Sequence, residues 1–190
     1  MRNIAIFASG SGTNAENLIQ YFSNRNKAKV NIVLSNRREA YVLKRAAAHN
    51  IPSVFFDRND FYLNGKVLEL LLRYKTDLVV LAGFLWLVPG SILNEYERRI
   101  VNIHPALLPK YGGRGMYGEK VHRSVIENQE TESGITIHYV NNEYDAGDII
   151  FQARCNVSIS DDAETLAKKI HALEYEHFPR VIEELIDRME

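Results

Sequence analysis

The chain has 190 residues, of which 46% are hydrophobic, a proportion that suffices for one packed core. Its 23 basic and 24 acidic side chains nearly balance, which excludes nucleic-acid binding carried by bulk positive charge. One cysteine, Cys155, excludes an intrachain disulfide framework, and no Cys/His spacing indicates a zinc site, so no metal is expected.

The first two thirds of the chain alternate short apolar runs with segments of helical periodicity. The pattern predicts strands at 3–9, 30–36, 52–56, 77–84 and 98–104, and helices at 13–24, 38–50 and 60–75. Strands that alternate with helices form parallel sheets covered on both faces. The sequence therefore predicts an α/β protein with a Rossmann-like, doubly wound, mostly parallel sheet.

The last third has a different pattern. Two strand-like runs at 133–140 and 148–157 are separated by a short polar turn, which predicts a late antiparallel pair at the sheet edge. A C-terminal helix follows at 161–189, with Asp161 or Asp162 as its cap and Pro179 expected to break or kink it. We expect a single domain over residues 1–190.

No targeting segment is evident. The N-terminus lacks the long apolar core of a signal peptide, and no apolar run approaches the roughly 20 residues of a membrane span. We therefore expect a cytoplasmic protein with neither a membrane nor a nucleic-acid partner, either a monomer or a homodimer.

Glycines and small polar residues connect the first strand to the first helix: Gly10, Ser11, Gly12, Thr13 and Asn14. The free N–H groups at such a helix start favour an anion. The pattern fits G-x-G-x-x-A loosely, but the second strand ends in Asn36-Arg37-Arg38 rather than an acid, which disfavours NAD and leaves NADP open. A plain turn capped by Thr13 is the other alternative.

Two polar residues end the fifth strand. Asn102 and His104 are two apart and therefore point to the same face, and Pro105 stops the strand directly after them. In open parallel sheets, ligands bind at this end of the strands. An amide N–H and an imidazolium can both stabilise an oxyanion, and no nucleophilic Ser or Cys neighbours them. The pair thus indicates direct attack by a substrate nucleophile on a carbonyl; a structural role is the alternative.

Asp145 lies in the turn between the two late strands. If it reaches His104, its carboxylate would raise the pKa of the imidazole by favouring the charged form. Ordinary turn chemistry, in which Asp precedes a glycine, is the alternative.

Four segments in this order, "FASGSGTN", "VLAGFLWLV", "VNIHPALLPKY" and "YDAGDIIFQ", resemble the phosphoribosylglycinamide formyltransferase family of folate-dependent enzymes. The resemblance covers residues 3 to about 185. It implies transfer of a formyl group from 10-formyltetrahydrofolate, a co-substrate, to the amine of glycinamide ribonucleotide in de novo purine biosynthesis. Both substrates are small molecules.

The resemblance also implies site residues. Asn102 would hold the formyl carbonyl, His104 would be the general acid, and Asp145 would keep His104 protonated. Glu174 would bind the ribose hydroxyls, a solvated helix face being the alternative. The loop 10–14 would bind the 5′-phosphate. The folate would contact Arg58, Leu85, Trp86, Leu87, Val88, Asn102 and Tyr144. Phosphate binding would thus fall in about residues 1–100, and folate binding and catalysis in about 101–190.

The chain departs from the family pattern in three places. Trp86 stands where many members carry a basic residue, and Ala146-Gly147 follows Asp145 where members often have Gly-Gly or Gly-Pro. The segment 112–125 is longer than the loop of many members, and its part 112–118 is either a mobile lid or a plain surface loop. We expect structural roles for His122, His138 and His177. A formyl-folate hydrolase, a transferase acting on a sugar nucleotide amine and a non-catalytic NADP-binding module remain as alternatives.

Overall fold

The computed structural model describes residues 1–189, and Glu190 lies outside the described part of the chain. Within that part, seven strands form one sheet in the order β3-β2-β1-β4-β5-β6-β7. The strands are β1 (Arg2–Phe7), β2 (Ala28–Ser35), β3 (Ser53–Phe55), β4 (Leu78–Leu81), β5 (Ile100–His104), β6 (Glu132–Tyr139) and β7 (Ile149–Asn156). The first five strands pair in parallel, whereas β6 runs antiparallel to both β5 and β7. The predicted mostly parallel sheet with a late antiparallel edge pair is confirmed.

Helices cover both faces of this sheet. They are α1 (Thr13–Ser23), α2 (Tyr41–Ala48), α3 (Arg58–Tyr62), α4 (Lys66–Arg73), α5 (Gly90–Glu95), α6 (Glu119–Glu127) and α7 (Ala163–Asp187). Successive side chains of a strand point to opposite faces. Accordingly, Ile4 and Ile6 of β1 pack in an apolar cluster with α1, α2, α6 and α7, and Ala5 and Phe7 pack in a second cluster with α3, α4 and α5. None of the described helices is long and apolar enough to cross a membrane.

The strands are added to the sheet on both sides of β1. After β1 the chain adds β2 and β3 on one side, and it then crosses over to add β4 on the other side. Such a switch point opens a crevice at the carboxyl ends of the two central strands. The glycine-rich loop 10–14 follows β1, and the segment 82–88 follows β4, so both lie at this crevice.

The single helix predicted at 60–75 is wrong, and of the break or kink predicted at Pro179 the break does not occur. The single helix predicted at 60–75 is two helices, α3 and α4, because Gly65 adopts a left-handed φ of 72° between them. Pro179 does not break α7, which runs unbroken from Ala163 to Asp187. A proline cannot bond the carbonyl four residues earlier. That carbonyl, on Tyr175, accepts a hydrogen bond from Asn17 of α1 instead.

The cap predicted for the last helix is confirmed, since the side chain of Asp162 accepts a hydrogen bond from the Thr165 N–H at 2.8 Å. Two helices, α5 and α6, were not predicted from the sequence. Both are short, and each begins directly after a proline or a glycine, Pro89 and Gly118.

Candidate active site

A cleft of about 270 Å³ opens at the carboxyl ends of β1, β4 and β5. Its walls come from the glycine-rich loop, the residues after β4 and β5, the segment 113–118, the loop before β7, and α7. The lining includes Gly10, Ser11, Gly12, Thr13, Asn14, Leu85, Asn102, His104, Tyr144, Asp145 and Glu174. The cleft therefore brings together most of the site residues expected from the sequence.

The glycine-rich loop bends sharply into α1. Gly12 has a φ of 76°, and a Cβ atom there would lie 2.3 Å from Cγ2 of Val42. The first N–H to bond within α1 belongs to Glu16, which donates to the Gly12 carbonyl, so the N–H groups of residues 13–15 precede the helical bonding. Gly12 precedes the helix and Thr13 makes no capping hydrogen bond, so the alternative of a plain turn capped by Thr13 is wrong. The helix start faces the cleft and has the geometry of an anion site.

Asn14 and Glu174 meet at one end of the cleft. The amide Nδ2 of Asn14 donates to Oε2 of Glu174 at 2.9 Å. Burial raises the pKa of Glu174 to about 7, against the lowering effect of this hydrogen bond. The Oδ1 atom of Asn14 is buried without a hydrogen-bond partner among the described residues. The alternative of a solvated face is wrong, because Glu174 is only 6% exposed.

The amide of Asn102 is oriented by a histidine from the neighbouring strand. His138 lies directly opposite Asn102 in the antiparallel register of β5 and β6. His138 donates from Nδ1 to the Tyr139 carbonyl at 2.8 Å, which leaves its Nε2 to accept from Asn102 Nδ2 at 3.0 Å. A second, longer contact joins Asn102 Nδ2 to Oδ1 of Asp145 at 3.4 Å.

The ring of His104 is held between a backbone carbonyl and Asp145. Its Nε2 donates to the Tyr111 carbonyl at 2.7 Å, and its Nδ1 lies 3.6 Å from Oδ2 of Asp145. Burial lowers the pKa of His104, and the negative charge of Asp145 offsets this only in part. The predicted contact with Asp145 is present and raises the pKa of the imidazole as expected, but the pKa is lowered on balance because burial of the ring, which is only 4% exposed, has the larger effect.

Asp145 adopts a left-handed φ of 54° and accepts a hydrogen bond from the Gly113 N–H at 2.9 Å. Burial alone would raise its pKa, but His138, His104 and the Gly113 N–H together hold the pKa of Asp145 below its usual value. The carboxylate therefore stays charged at neutral pH and contacts both Asn102 and His104. The arrangement supplies an amide donor and a titratable ring beside one fixed negative charge.

A second, smaller cavity of about 40 Å³ adjoins the cleft. The predicted Trp86, Leu87 and Val88 line it, and Phe84, Asn102, Tyr144 and Asp145 line both cavities. Arg58 lines neither of them, but its guanidinium lies 4.8 Å above the ring of Trp86. The Leu87 carbonyl accepts a hydrogen bond from the Tyr62 hydroxyl, which fixes this wall.

Three histidines near the cleft were not assigned to a site by sequence reasoning. His122 and His171 line the cleft, and His138 orients Asn102. Burial lowers the pKa of His122 to about 4, and its Nδ1 is buried without a partner in the described chain. Only the β5–β6 register could have revealed His138, because the contact joins residues on different strands.

A sequence model of the family described as formyl transferase matches residues 2–182. Phosphoribosylglycinamide formyltransferase of Bacillus subtilis is 33% identical over 191 residues, which cover 98% of this chain and 95% of that protein. The chloroplastic protein of the same name from Arabidopsis thaliana is 35% identical over 187 residues. This match covers 95% of the present chain but only 64% of that protein, and a match to a Vigna unguiculata relative covers 61% of that protein.

Solved structures agree with the sequence matches. The crystal structure of phosphoribosylglycinamide formyltransferase from Anaplasma phagocytophilum superimposes with a TM-score of 0.90 at 32% identity, covering 98% of this chain and 87% of that one. The corresponding structure from Bacillus halodurans gives a TM-score of 0.88 at 36% identity, covering 100% of this chain and 97% of that one.

Proposed function

The chain belongs to the formyl transferase family, and from this premise we propose that it transfers a formyl group from 10-formyltetrahydrofolate to the amine of glycinamide ribonucleotide, a step of de novo purine biosynthesis. The observation that carries the proposal is the meeting of Asn102, His104 and Asp145 where the two cavities adjoin. The family membership disfavours the non-catalytic NADP-binding alternative. Asn36 is also engaged already, since its Oδ1 accepts a hydrogen bond from Ser9.

The two cavities suggest where each substrate binds. The start of α1 would hold the phosphate of the ribonucleotide, and Glu174 would bind its ribose hydroxyls. The apolar cavity beside Trp86 would hold the pteridine of the folate, and Tyr144 would cover it. Arg58 would reach the folate only beyond the rim of this cavity. The phosphate site thus belongs to about residues 1–100, and most of the catalytic site to about 101–190.

The chemistry proceeds in two steps. The amine nitrogen of the ribonucleotide attacks the formyl carbon, and the carbonyl oxygen becomes an oxyanion. Asn102 Nδ2 carries two N–H groups: one binds His138 at 3.0 Å, and the other, which has only a long contact of 3.4 Å to Asp145, would turn to the oxyanion and stabilise it. The tetrahedral intermediate then collapses, the bond from the formyl carbon to N10 breaks, and N10 receives the proton that the amine releases.

His104 would act through its Nδ1 atom. Its Nε2 is occupied by the Tyr111 carbonyl, so a second proton on the ring resides on Nδ1, beside Asp145. The carboxylate stabilises this charged form, and the proton is then available to the oxyanion. We propose no metal in this reaction.

A formyl-transfer assay tests the proposal. Purified protein is mixed with 10-formyltetrahydrofolate, and release of the deformylated folate is followed by absorbance with and without glycinamide ribonucleotide. We expect turnover only when the ribonucleotide is present. Turnover without it identifies a hydrolase, and turnover only with another amine, such as an amino sugar nucleotide, identifies a different transferase.

Variants connect the activity to the site. Loss of an oxyanion donor typically costs roughly 2.7–4 kcal/mol of barrier, so Asn102→Ala is expected to lower kcat by about 100- to 1,000-fold. Asn128→Ala is the matched control, because Asn128 is exposed at the end of α6 and lies outside the cleft lining. Both variants should keep the wild-type circular dichroism spectrum; an inactive variant that has also unfolded would not support the catalytic assignment.

A further inference from the structure

The turn 110–113 supports two residues of the proposed active site, His104 and Asp145. The Tyr111 carbonyl accepts a hydrogen bond from His104 Nε2, and the Gly113 N–H donates to Asp145 Oδ2. These two contacts, at 2.7 Å and 2.9 Å, come from positions only two residues apart. Any shift of this turn therefore displaces the supports of the ring and of the carboxylate together.

The turn is tightly packed and backbone-strained. Tyr111 has a left-handed φ of 56°, which is uncommon for a bulky residue and persists only where the surroundings impose it. A Cβ atom on Gly112 would lie 2.4 Å from Cδ2 of Leu108 and 3.3 Å from Cβ of Asp145. The turn thus needs support from outside the cleft to keep its conformation.

That support comes from Glu130, which precedes β6. Oε1 of Glu130 accepts hydrogen bonds from the Tyr111 hydroxyl at 2.9 Å and from Lys110 Nζ at 2.8 Å. The bonds from Lys110 and Tyr111 hold the pKa of Glu130 below its usual value, so the acceptor is charged at neutral pH. Glu130 lines a separate cavity of about 340 Å³ and is absent from the lining of the cleft.

The segment before the turn has its own anchors. Thr136 Oγ1 donates to the Ala106 carbonyl at 2.7 Å and accepts from the Leu108 N–H at 3.0 Å. Gln152 donates to the Leu108 carbonyl at 3.1 Å. Residues 106–108 are therefore fixed by β6 and β7, whereas the only side-chain acceptor that the described residues offer to Lys110 and Tyr111 is Glu130.

We propose that Glu130 is a positioning residue of the active site: by holding Lys110 and Tyr111 it fixes the turn 110–113, and the turn fixes the ring of His104 and the carboxylate of Asp145. Glu130 touches neither the ring nor the carboxylate and acts through the backbone of the turn. The kinetic test of this inference rests on the proposed formyl transfer, whereas the spectroscopic test does not.

The kinetic test compares three variants with a control. Glu130→Ala and Tyr111→Phe remove the hydrogen bond, and we expect kcat to fall about tenfold while both KM values change less than about twofold. Glu130→Gln keeps an oxygen that accepts from Tyr111, and it should recover most of the lost kcat. Glu132→Gln is the control, since Glu132 lies on the same cavity but pairs with Arg154.

The spectroscopic test observes His104 directly in the resting protein by nitrogen-15 NMR. In the wild type, Nε2 carries the proton that is donated to Tyr111. In Glu130→Ala and Tyr111→Phe, we expect a mixture of the two His104 tautomers and an altered titration of the ring, and Glu132→Gln should match the wild type. Tyr111→Phe keeps the aromatic ring in place, so the test stands even if Glu130→Ala unfolds. Unchanged tautomer and titration in Tyr111→Phe would overturn the proposal, whatever the activity of the protein.

Discussion

Replacing Gly12 with alanine should destabilise the protein because of both its backbone conformation and its packing. The φ of 76° at Gly12 costs an L-residue roughly 1–2 kcal/mol. The new Cβ atom would also lie 2.3 Å from Cγ2, 2.5 Å from Cβ and 2.8 Å from Cα of Val42. Relieving such overlap typically costs about 1–3 kcal/mol. We therefore expect Gly12→Ala to lower the free energy of unfolding by about 2–5 kcal/mol.

Two other glycines separate the two contributions. Gly65 also precedes a helix with a left-handed φ, of 72°, but a Cβ atom there meets nothing within 4 Å. Gly65→Ala should therefore cost only the backbone term, roughly 1–2 kcal/mol. Gly10 has neither a left-handed φ nor a neighbour within 4 Å of the added atom, so Gly10→Ala should stay within about 0.5 kcal/mol of the wild type.

Urea unfolding of the three variants, at an unchanged slope m, measures these free energies. The expected order of destabilisation is Gly12→Ala, then Gly65→Ala, then Gly10→Ala. If Gly12→Ala and Gly65→Ala were equally stable, the contact with Val42 would not constrain the loop. Because the N–H of Val42 donates to the Gly10 carbonyl, movement of Val42 should also raise the KM for glycinamide ribonucleotide in Gly12→Ala.

Three further changes test individual groups of the site. Glu174→Gln should stabilise the protein by about 3 kcal/mol at pH 8 but not at pH 4. Burial raises the pKa of Glu174 from 4.5 to about 7, so the native state binds more protons than the unfolded state between these two values. The wild type therefore loses stability as the pH rises through this range, whereas the glutamine variant does not. Urea unfolding at both pH values measures this. Asp145→Asn removes the larger of the two effects that oppose the burial of His104 and leaves only the hydrogen bond to the Tyr111 carbonyl, so the pKa of His104 falls further and the decline of kcat at high pH should begin at a lower pH. His138→Leu removes the acceptor that orients Asn102 and should lower kcat about tenfold or more with little change in KM, measured by steady-state kinetics.

Each of these changes has a control or a contradicting result. Glu164→Gln, at an exposed residue of α7, should show none of the pH-dependent gain in stability. A shift of the kcat profile of Asp145→Asn to higher pH would contradict the assigned role of the carboxylate. His177→Leu is the control for His138→Leu, because His177 packs against Phe151 away from the cleft lining.

Patterns that are local in sequence predicted most of the fold. The apolar runs of β1, β2 and β4 are buried strands, and their alternation with helices gave the parallel sheet. Asn102 and His104 were placed correctly at the end of β5, because the two-residue repeat of a strand and the following proline depend on neighbouring residues alone. The glycine-rich loop at the crevice followed from the same topology.

Features that depend on distant residues could not be predicted. The Tyr175 carbonyl, which Pro179 leaves without its helical hydrogen bond, accepts one from Asn17, which is far away in sequence. The orientation of the Asn102 amide depends on His138 through the register of β5 and β6. The direction of the pKa change at His104 depends on how deeply the ring is buried, which the residue types alone do not specify.

Asn102 and His104 are oriented by separate parts of the chain that meet only at Asp145. The sheet orients Asn102 through His138 and the Tyr139 carbonyl, whereas the turn 110–113 orients His104. Asp145 contacts both of them, at 3.4 Å and 3.6 Å, and also binds the turn.

This arrangement predicts energetic coupling between the two supports. Changes at distant sites without shared partners add in activation free energy, so their factors in kcat multiply, whereas changes within one hydrogen-bond network depart from this rule. Tyr111 and His138 do not contact each other, but Tyr111 orients His104, His138 orients Asn102, and both oriented side chains contact Asp145. We expect the double variant of Tyr111→Phe and His138→Leu to lose less kcat than the product of the single losses, because either change alone already displaces Asp145. If the double-mutant cycle were additive, the sheet and the turn would orient their residues independently, and Asp145 would not couple them.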